Sequence, residues 1–252
     1  MKKFYYLLIT VIILAACDNT NTKKSVILDR TKAESLCGEG EQKAMSGDLN
    51  KAKNLFEESI EADSTYGVPY HNLANVYFSF GDDKTSLQYS NKAIELDKNF
   101  ANAYSTRGMT LGRMGRMEEA VESHLKAVEL KPNNSKLLMN AGIAYFYSEN
   151  YTEAYNYYDL ALKYTNDDYM VSAIYGCIAN AKRKEELYED ALIDYNKAIE
   201  LNNNNAEAHW NRAVTLQDNL DRADEACADL EKCIQLNYQA TKAKYRKSKY
   251  CN

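Results

Sequence analysis

Several features that mark common classes of protein are scarce in this sequence. Its 252 residues include only 2 prolines, and hydrophobic residues make up 45% of the chain, a balance that excludes a largely disordered protein. The 6 cysteines form no C-x-x-C pair, so the usual spacing of zinc and thioredoxin sites is missing. The composition therefore indicates a folded, strongly helical protein.

Positive charge is also in short supply. The chain carries 31 Lys and Arg residues against 36 Asp and Glu residues, a formal net charge of -5, and no basic stripe stands out. Phosphate backbones are bound by basic faces. We therefore expect no nucleic-acid partner.

The first 16 residues have the pattern of an export signal. Lys2 and Lys3 precede an apolar run over residues 4–14, which ends in small residues just before Cys17. The run is too short for a comfortable membrane span, as is usual for a secretory signal peptide. Residues 1–16 are therefore predicted to be a cleaved leader.

The end of this leader, Leu14-Ala15-Ala16-Cys17, resembles the lipobox of bacterial lipoproteins. The resemblance implies that Cys17 becomes the first mature residue and carries the lipid, including fatty acids such as palmitate. The alternative is an ordinary or uncleaved signal peptide in which Cys17 has no role. Residues 17–32 begin with a polar run and are predicted to be a tether.

A lipid anchor implies a location in the cell envelope, facing the periplasm or attached to the outer membrane. Asp18 resembles an inner-membrane retention signal that is known in some Gram-negative bacteria. That signal is not general, so the choice of membrane stays open.

Small residues recur at a nearly constant period along the rest of the chain. Gly47, Gly81 and Gly115 are 34 residues apart. A second series, spaced by 34, 34, 34, 37 and 35 residues, consists of Ala52, Ser86, Ala120, Ala154, Ala191 and Ala226. Seven residues after each of these, another small residue precedes a branched one, which returns to the same side of an α-helix. Such a period is typical of a repeat protein.

These residues, with segments such as Lys92-Ala93-Ile94-Glu95-Leu96-Asp97, closely resemble the tetratricopeptide-repeat (TPR) family. The resemblance implies an all-α fold, a right-handed α-solenoid of about six helix-turn-helix repeats. The repeats are placed at about 33–66, 67–100, 101–134, 135–168, 172–205 and 206–237. Three extra residues precede repeat five, around Tyr169, and one lies near Asp221 in repeat six.

Residues 238–252 are predicted to be a capping helix and tail. We expect Cys251 to form a disulfide with Cys227 in the second helix of repeat six, because an exported protein occupies an oxidising space. Cys227 and Cys233 are six residues apart on one helix and so cannot pair with each other. Free, buried cysteines are the alternative.

No catalytic, cofactor or metal site is expected. The three histidines, His71, His124 and His209, fall in different repeats, and His124 occupies a core position of the repeat pattern. Ser123 and Lys126 match the Ser-x-x-Lys spacing of penicillin-binding enzymes without the companion motifs, so the match is attributed to chance. The chain is not expected to be an enzyme.

The TPR resemblance implies that the first helices of the repeats line a groove for a partner peptide. The groove positions carried over from the family are His71, Asn72, Asn75, Phe78, Thr106, Met109, Arg113, Met139, Asn140, Ile143, Phe146, Tyr147, Asn180, Arg183, Lys184, Trp210 and Asn211. Its middle is apolar and aromatic, which suits anchoring of a partner. For each residue, packing between repeats is the alternative role. The carboxylate clamp that binds chaperone C-termini in this family is missing.

These expectations favour a membrane-anchored scaffold that binds another protein or a peptide. Two alternatives remain: a structural or self-associating envelope module, and a component of an outer-membrane assembly machinery. A small-ligand or enzymatic role would need a deep pocket or a cluster of titratable groups. The sequence does not indicate an oligomeric state.

Overall fold

The computed structural model of the protein describes residues 29–251. Cys17 and the leader therefore lie outside the described residues, as does most of the tether. The described residues form thirteen α-helices, with a short 3₁₀ helix at Ala223–Ala226 before the twelfth. The helices are α1 Arg30–Met45, α2 Leu49–Ala62, α3 Gly67–Phe80, α4 Asp83–Leu96, α5 Ala101–Arg113, α6 Met117–Leu130, α7 Ser135–Tyr147, α8 Tyr151–Lys163, α9 Asp168–Lys184, α10 Tyr188–Leu201, α11 Ala206–Asp218, α12 Cys227–Gln235 and α13 Ala240–Tyr250.

The turns inside the repeats share one backbone conformation. Each has a residue with positive φ at the same place in its repeat, namely Gly47, Gly81, Gly115, Glu149, Glu186 and Asp221. Glycine adopts this left-handed conformation without strain, and it occupies the first three turns. The turn is therefore retained in the last three repeats although the residue has changed.

Several second helices begin at a polar residue that caps the first turn. The carboxylates of Asp48 and Asp82 accept hydrogen bonds from the backbone N–H groups of Lys51 and Thr85. Such caps satisfy N–H groups that have no partner inside the helix. The local sequence therefore fixes where these helices start.

The small residues of the 34-residue series lie at the contact between the two helices of each repeat. Every member of the series, from Ala52 to Ala226, is at most 1% exposed. Small side chains at this place let two helices approach closely. This explains why the period is visible in the sequence.

The helices α1, α3, α5, α7, α9 and α11 are the first helices of six helix pairs, and each contacts the first helix of the next pair. This close spacing puts the first helices on the inner side of the curved stack. The described residues thus form an all-α solenoid, as expected from the repeat pattern.

The irregular repeats differ from the others where the sequence has extra residues. Helix α9 has 17 residues because the insertion around Tyr169 extends its N-terminal end. In repeat six, the extra residue near Asp221 is followed by the 3₁₀ helix instead of a regular first turn. Helix α1 begins at Arg30, three residues before the predicted start of repeat one, and is capped by Asp29.

Helix α13 covers the end of the last repeat. Its Ala243 is buried in the core formed with α12, and its Arg246 donates hydrogen bonds to Gln217 and Asp218 of α11. A disulfide joins Cys227 to Cys251, with the Cα atoms 5.8 Å apart. The cap is thus attached to the solenoid by apolar packing, charge and a covalent bond.

Candidate binding groove

The largest apolar opening of the inner face lies between α3, α5 and α7. It is a cavity of about 390 Å³, and six of the predicted groove residues line it: Phe78, Met109, Arg113, Asn140, Ile143 and Tyr147. Tyr147 stands at its edge and is 63% exposed. We call this cavity the central pocket.

The wall of the central pocket also includes residues that the sequence analysis did not assign to the groove. Gly108 and Gly112 are one turn apart on α5, and Met117, Ala120 and His124 belong to the second helix behind it. A Cβ atom added at Gly112 would meet only the Cβ of Ala120, at 3.9 Å. The glycines therefore open α5, so that the second helix α6 reaches the groove.

His124 lies against Gly108, where a Cβ atom would come within 2.6 Å of its ring. Rings pack on a glycine 16 residues earlier in two other repeats, as Phe56 on Gly40 and Tyr158 on Gly142. His124 thus occupies a core ring position, as predicted. Burial lowers the pKa of His124 to about 4, so the imidazole is neutral near pH 7.

Unlike the other two rings, His124 has polar atoms in this apolar place. Its side chain is nearly fully buried, and its Nδ1 has no hydrogen-bond partner among the described residues. An unpaired buried polar atom of this kind costs about 1–3 kcal/mol. The polar ring atoms and the free volume occur together at the central pocket.

The positive charge of Arg113 is already paired at the rim of the pocket. Its guanidinium donates to the carboxylate of Asp83 and to the carbonyl oxygen of Phe78, and it stacks on the Phe78 ring at 3.7 Å. Arg113 was expected to add free positive charge to the groove. Its contacts instead hold α5 against α3 and α4.

Two further cavities lie along the same face. One, of about 400 Å³, is lined by Met139, Ile143, Asn180 and Asn211 among the predicted groove residues. Because Ile143 also lines the central pocket, the two cavities adjoin. Asn72 and Asn75 line the other, of about 430 Å³, between the first two repeats. The predicted groove residues therefore line three openings along the inner face.

The groove asparagines bond mainly to neighbouring repeats. Asn72 donates to Glu41 at 2.9 Å, Asn75 accepts from Thr106 at 2.9 Å, Asn140 donates to Ser105 at 3.0 Å and Asn211 donates to Asn180 at 2.9 Å. These bonds link successive first helices. The expectation that asparagines hold a peptide backbone competes with this role, which is the packing alternative left open by the sequence.

Six predicted groove residues lie outside the linings of these three cavities. His71 and Thr106 are buried or nearly so between α3 and α5, where burial, with a smaller contribution from Lys136, lowers the pKa of His71 to about 4. Trp210 packs in the last core, with Arg246 of the cap 5.7 Å from its ring. The remaining three are Phe146, which packs on Tyr147, and the basic residues Arg183 and Lys184 at the end of α9.

A buried ionic cluster in the last repeat was not anticipated. Asp229 is 1% exposed and accepts hydrogen bonds from Arg212 at 2.8 and 2.6 Å, while its Oδ1 lies 2.6 Å from Nδ1 of His209. Burial alone raises the pKa of Asp229, but these hydrogen bonds and charges hold it below its usual range. We call these three residues the C-terminal network.

The 34-residue comparison offered a partial signal for both features. It aligns His124 and His209 with positions that are aromatic in other repeats, and Gly112 with two phenylalanines. It could not show which polar group each histidine meets, because that depends on how neighbouring helices are placed.

Chemical and membrane sites were also sought in residues 29–251. In that part of the chain, no three histidine, cysteine, aspartate or glutamate side chains come together as metal ligands. None of its helices combines the length and the apolar character needed to cross a bilayer.

Comparison with known proteins identifies the repeats. A model described as TPR repeat matches residues 179–219, and a second, described as Tetratricopeptide repeat, matches 69–100, 101–134 and 206–239. Together the matches cover about half of the chain. They include four of the six helix pairs in whole or in part.

One relative, small glutamine-rich tetratricopeptide repeat-containing protein 2 of Mycosarcoma maydis, is 32% identical over 109 residues, which is 43% of this chain and 31% of the relative. The chain spans less than half the length of the curated relatives it matches.

Two solved structures share the fold. The Cut9–Hcn1 hetero-tetramer of the APC/C matches with a TM-score of 0.75 at 18% identity, over 88% of this chain and 43% of that one. The structure of Pseudomonas aeruginosa pilF matches with a TM-score of 0.65 at 21% identity, over 85% of this chain and 98% of that one.

Proposed function

Because this chain is a tetratricopeptide-repeat protein, we propose that it is a non-catalytic scaffold of the bacterial cell envelope that binds a partner protein along its inner groove. The observation that carries the proposal is the central pocket. Six predicted groove residues from three successive repeats line this single apolar cavity.

The composition of the groove supports a protein partner. Phe78, Met109, Ile143 and Tyr147 offer aromatic, thioether and branched surfaces, the side chains that anchor partners in protein interfaces. The adjoining cavities continue this surface toward both ends of the solenoid. An extended peptide can therefore contact several repeats at once.

The envelope location rests on the leader and on Cys17. Two lysines, an apolar run and Leu14-Ala15-Ala16-Cys17 form the pattern of a lipoprotein signal. Several acyl chains on Cys17, each methylene contributing about 0.8 kcal/mol, would hold the protein at the membrane durably. Asn19–Asn21 and the polar residues around them would then separate the solenoid from the bilayer.

The groove is tested by chemical crosslinking in intact cells followed by mass spectrometry. We expect the Met109→Ala/Tyr147→Ala variant to lose the partner that the native protein captures. The control is Leu160→Ala/Ile193→Ala, which removes exposed apolar side chains from second helices. An unchanged set of partners in the first variant, with native helicity by circular dichroism, would sink the groove proposal.

The anchor is tested separately with Cys17→Ala. We expect the native protein to fractionate with membranes and to yield a lipid-modified N-terminal peptide that starts at Cys17. The variant should leave the membrane fraction. Recovery of unmodified Cys17 within an intact leader would contradict the anchor.

A further inference from the structure

Repeat three lacks a ring that its neighbours have. The residues one period apart on the first helices are Phe78, Gly112 and Phe146, so phenylalanine precedes and follows the glycine. A side chain at Gly112 would enter open space, because Ala120 is the only neighbour of an added Cβ within 4 Å. The central pocket thus lies where an aromatic side chain is missing.

The floor of the pocket differs from an ordinary apolar core. His124 holds the ring position that Phe56 and Tyr158 hold elsewhere, and its buried Nδ1 has no partner among the described residues. A neutral imidazole has one donor and one acceptor nitrogen. A hydroxyl group can donate or accept, so it can pair with this ring in either tautomer.

The walls favour an uncharged aromatic guest over an acidic one. Met109, Met117 and Ile143 supply thioether and branched surfaces, which make favourable contacts with flat rings. Arg113, the cation at the rim, is already paired with Asp83 and stacked on Phe78. The volume of about 390 Å³ exceeds that of one side chain and leaves room for the adjoining peptide backbone.

We propose that the central pocket receives a tyrosine side chain of the partner protein, with the ring in the place left by Gly112 and the hydroxyl bonded to His124. This inference rests on the proposed function, because it supplies the chemistry of the anchor residue. The pocket therefore selects a phenol over a phenyl ring.

The test uses histidine-labelled protein and NMR of the imidazole resonances, since the chain has 3 histidines and His124→Phe assigns the signal. The probe is N-acetyl-tyrosinamide, a tyrosine side chain on a short backbone. We expect a saturable shift of the His124 resonances with a dissociation constant on the order of 1 mM, as suits a ligand of this size. N-acetyl-phenylalaninamide should bind roughly fivefold more weakly, the effect of one hydrogen bond.

Two glycine variants control for the location. Gly112→Phe supplies the missing ring from within the chain and should abolish the shift. Gly38→Phe places the same ring on α1, where an added Cβ has no neighbour within 4 Å, and should leave binding unchanged.

Three results would overturn the inference: no response at His124, equal affinity for the tyrosine and phenylalanine probes, or binding that persists in Gly112→Phe. Binding of p-cresol without N-acetyl-tyrosinamide would also overturn it, since the site would then admit a free phenol but no peptide residue. None of these results decides the proposed function. Loss of the crosslinked partner in Met109→Ala/Tyr147→Ala would still support a scaffold that uses another anchor.

Discussion

The middle and the end of the solenoid each bury a histidine, with opposite outcomes. In repeat three, His124 has an unpaired Nδ1 and borders the central pocket. In repeat six, Nδ1 of His209 meets Asp229 at 2.6 Å, and Nε2 lies 3.1 Å from the carbonyl oxygen of Asn203. One region leaves a polar ring and a volume without internal partners, whereas the other closes on itself.

The difference follows from position in the stack. A terminal repeat has a neighbour on only one side, so its exposed face must be closed by other means. Here the C-terminal network, α13 and the disulfide between Cys227 and Cys251 close it. A middle repeat has neighbours on both sides and can leave a cavity unfilled. Binding capacity is therefore located where the stack is already stable.

The largest effect is expected from Asp229→Asn, which breaks the closed end. Loss of the carboxylate leaves Arg212 and His209 without their buried counter-charge, and removing one partner of such a pair costs about 3–5 kcal/mol. We expect denaturant unfolding to show this loss and hydrogen exchange to place it in α11 and α12. Asp224→Asn, an exposed change in the preceding 3₁₀ helix, serves as the control. Equal stability of the two variants would argue against the network.

The disulfide is the next largest effect. Cys251→Ser opens a covalent loop of 24 residues, for which chain-entropy estimates give about 2–3 kcal/mol. Hydrogen exchange should rise in α13, while binding at the central pocket stays unchanged. Non-reducing peptide mass spectrometry of the native protein should find Cys227 linked to Cys251. Detection of both as free thiols in protein from the oxidising compartment would refute the pairing.

Acidification should reveal the unpaired histidine of the middle. His124 has a pKa near 4 in the folded protein and near 6.5 when unfolded, so the unfolded state binds the extra proton between these values. Stability should therefore fall with pH below about 6.5, by roughly 2 kcal/mol for this group at about pH 5. His124→Phe should reduce this slope in pH-dependent unfolding. An unchanged slope would show that His124 is not buried as a neutral ring.

The smallest effect concerns the space at Gly112. Gly112→Ala should raise the free energy of unfolding by about 0.5–1 kcal/mol, because alanine favours the helix and its Cβ meets no obstacle. Gly38→Ala on α1 is the matched control and should gain a similar amount. A destabilised Gly112→Ala beside a stabilised Gly38→Ala would mean that the pocket wall has no room.

The repeats were predictable because their signal is local and periodic. Small residues such as Ala120 must recur wherever two helices approach, and the turn beginning near Gly47 recurs with them. The aromatic middle of the groove followed from the same register. Asn75 and Asn140 show the limit, because their groove positions were inferable but their bonds to Thr106 and Ser105 depend on the spacing between repeats.

The C-terminal network was beyond the reach of the pattern for a related reason. Asp229 meets His209 and Arg212 only because the extra residue near Asp221 and the 3₁₀ helix set the position of α12. An insertion shifts the register, so the repeat alignment does not predict which side chains then face each other. The role of Cys17 stays a prediction from sequence.

The central claim is that the inner face around the central pocket is where a partner docks. Tyr147 at the pocket edge and Ile193 on the second helix α10 are both 63% exposed. A photo-crosslinking amino acid is placed at either position in living cells, and the crosslinked species are identified by mass spectrometry. We predict that position 147 captures a discrete partner and position 193 does not. Equal capture at both positions, or capture at position 193 alone, would contradict the account.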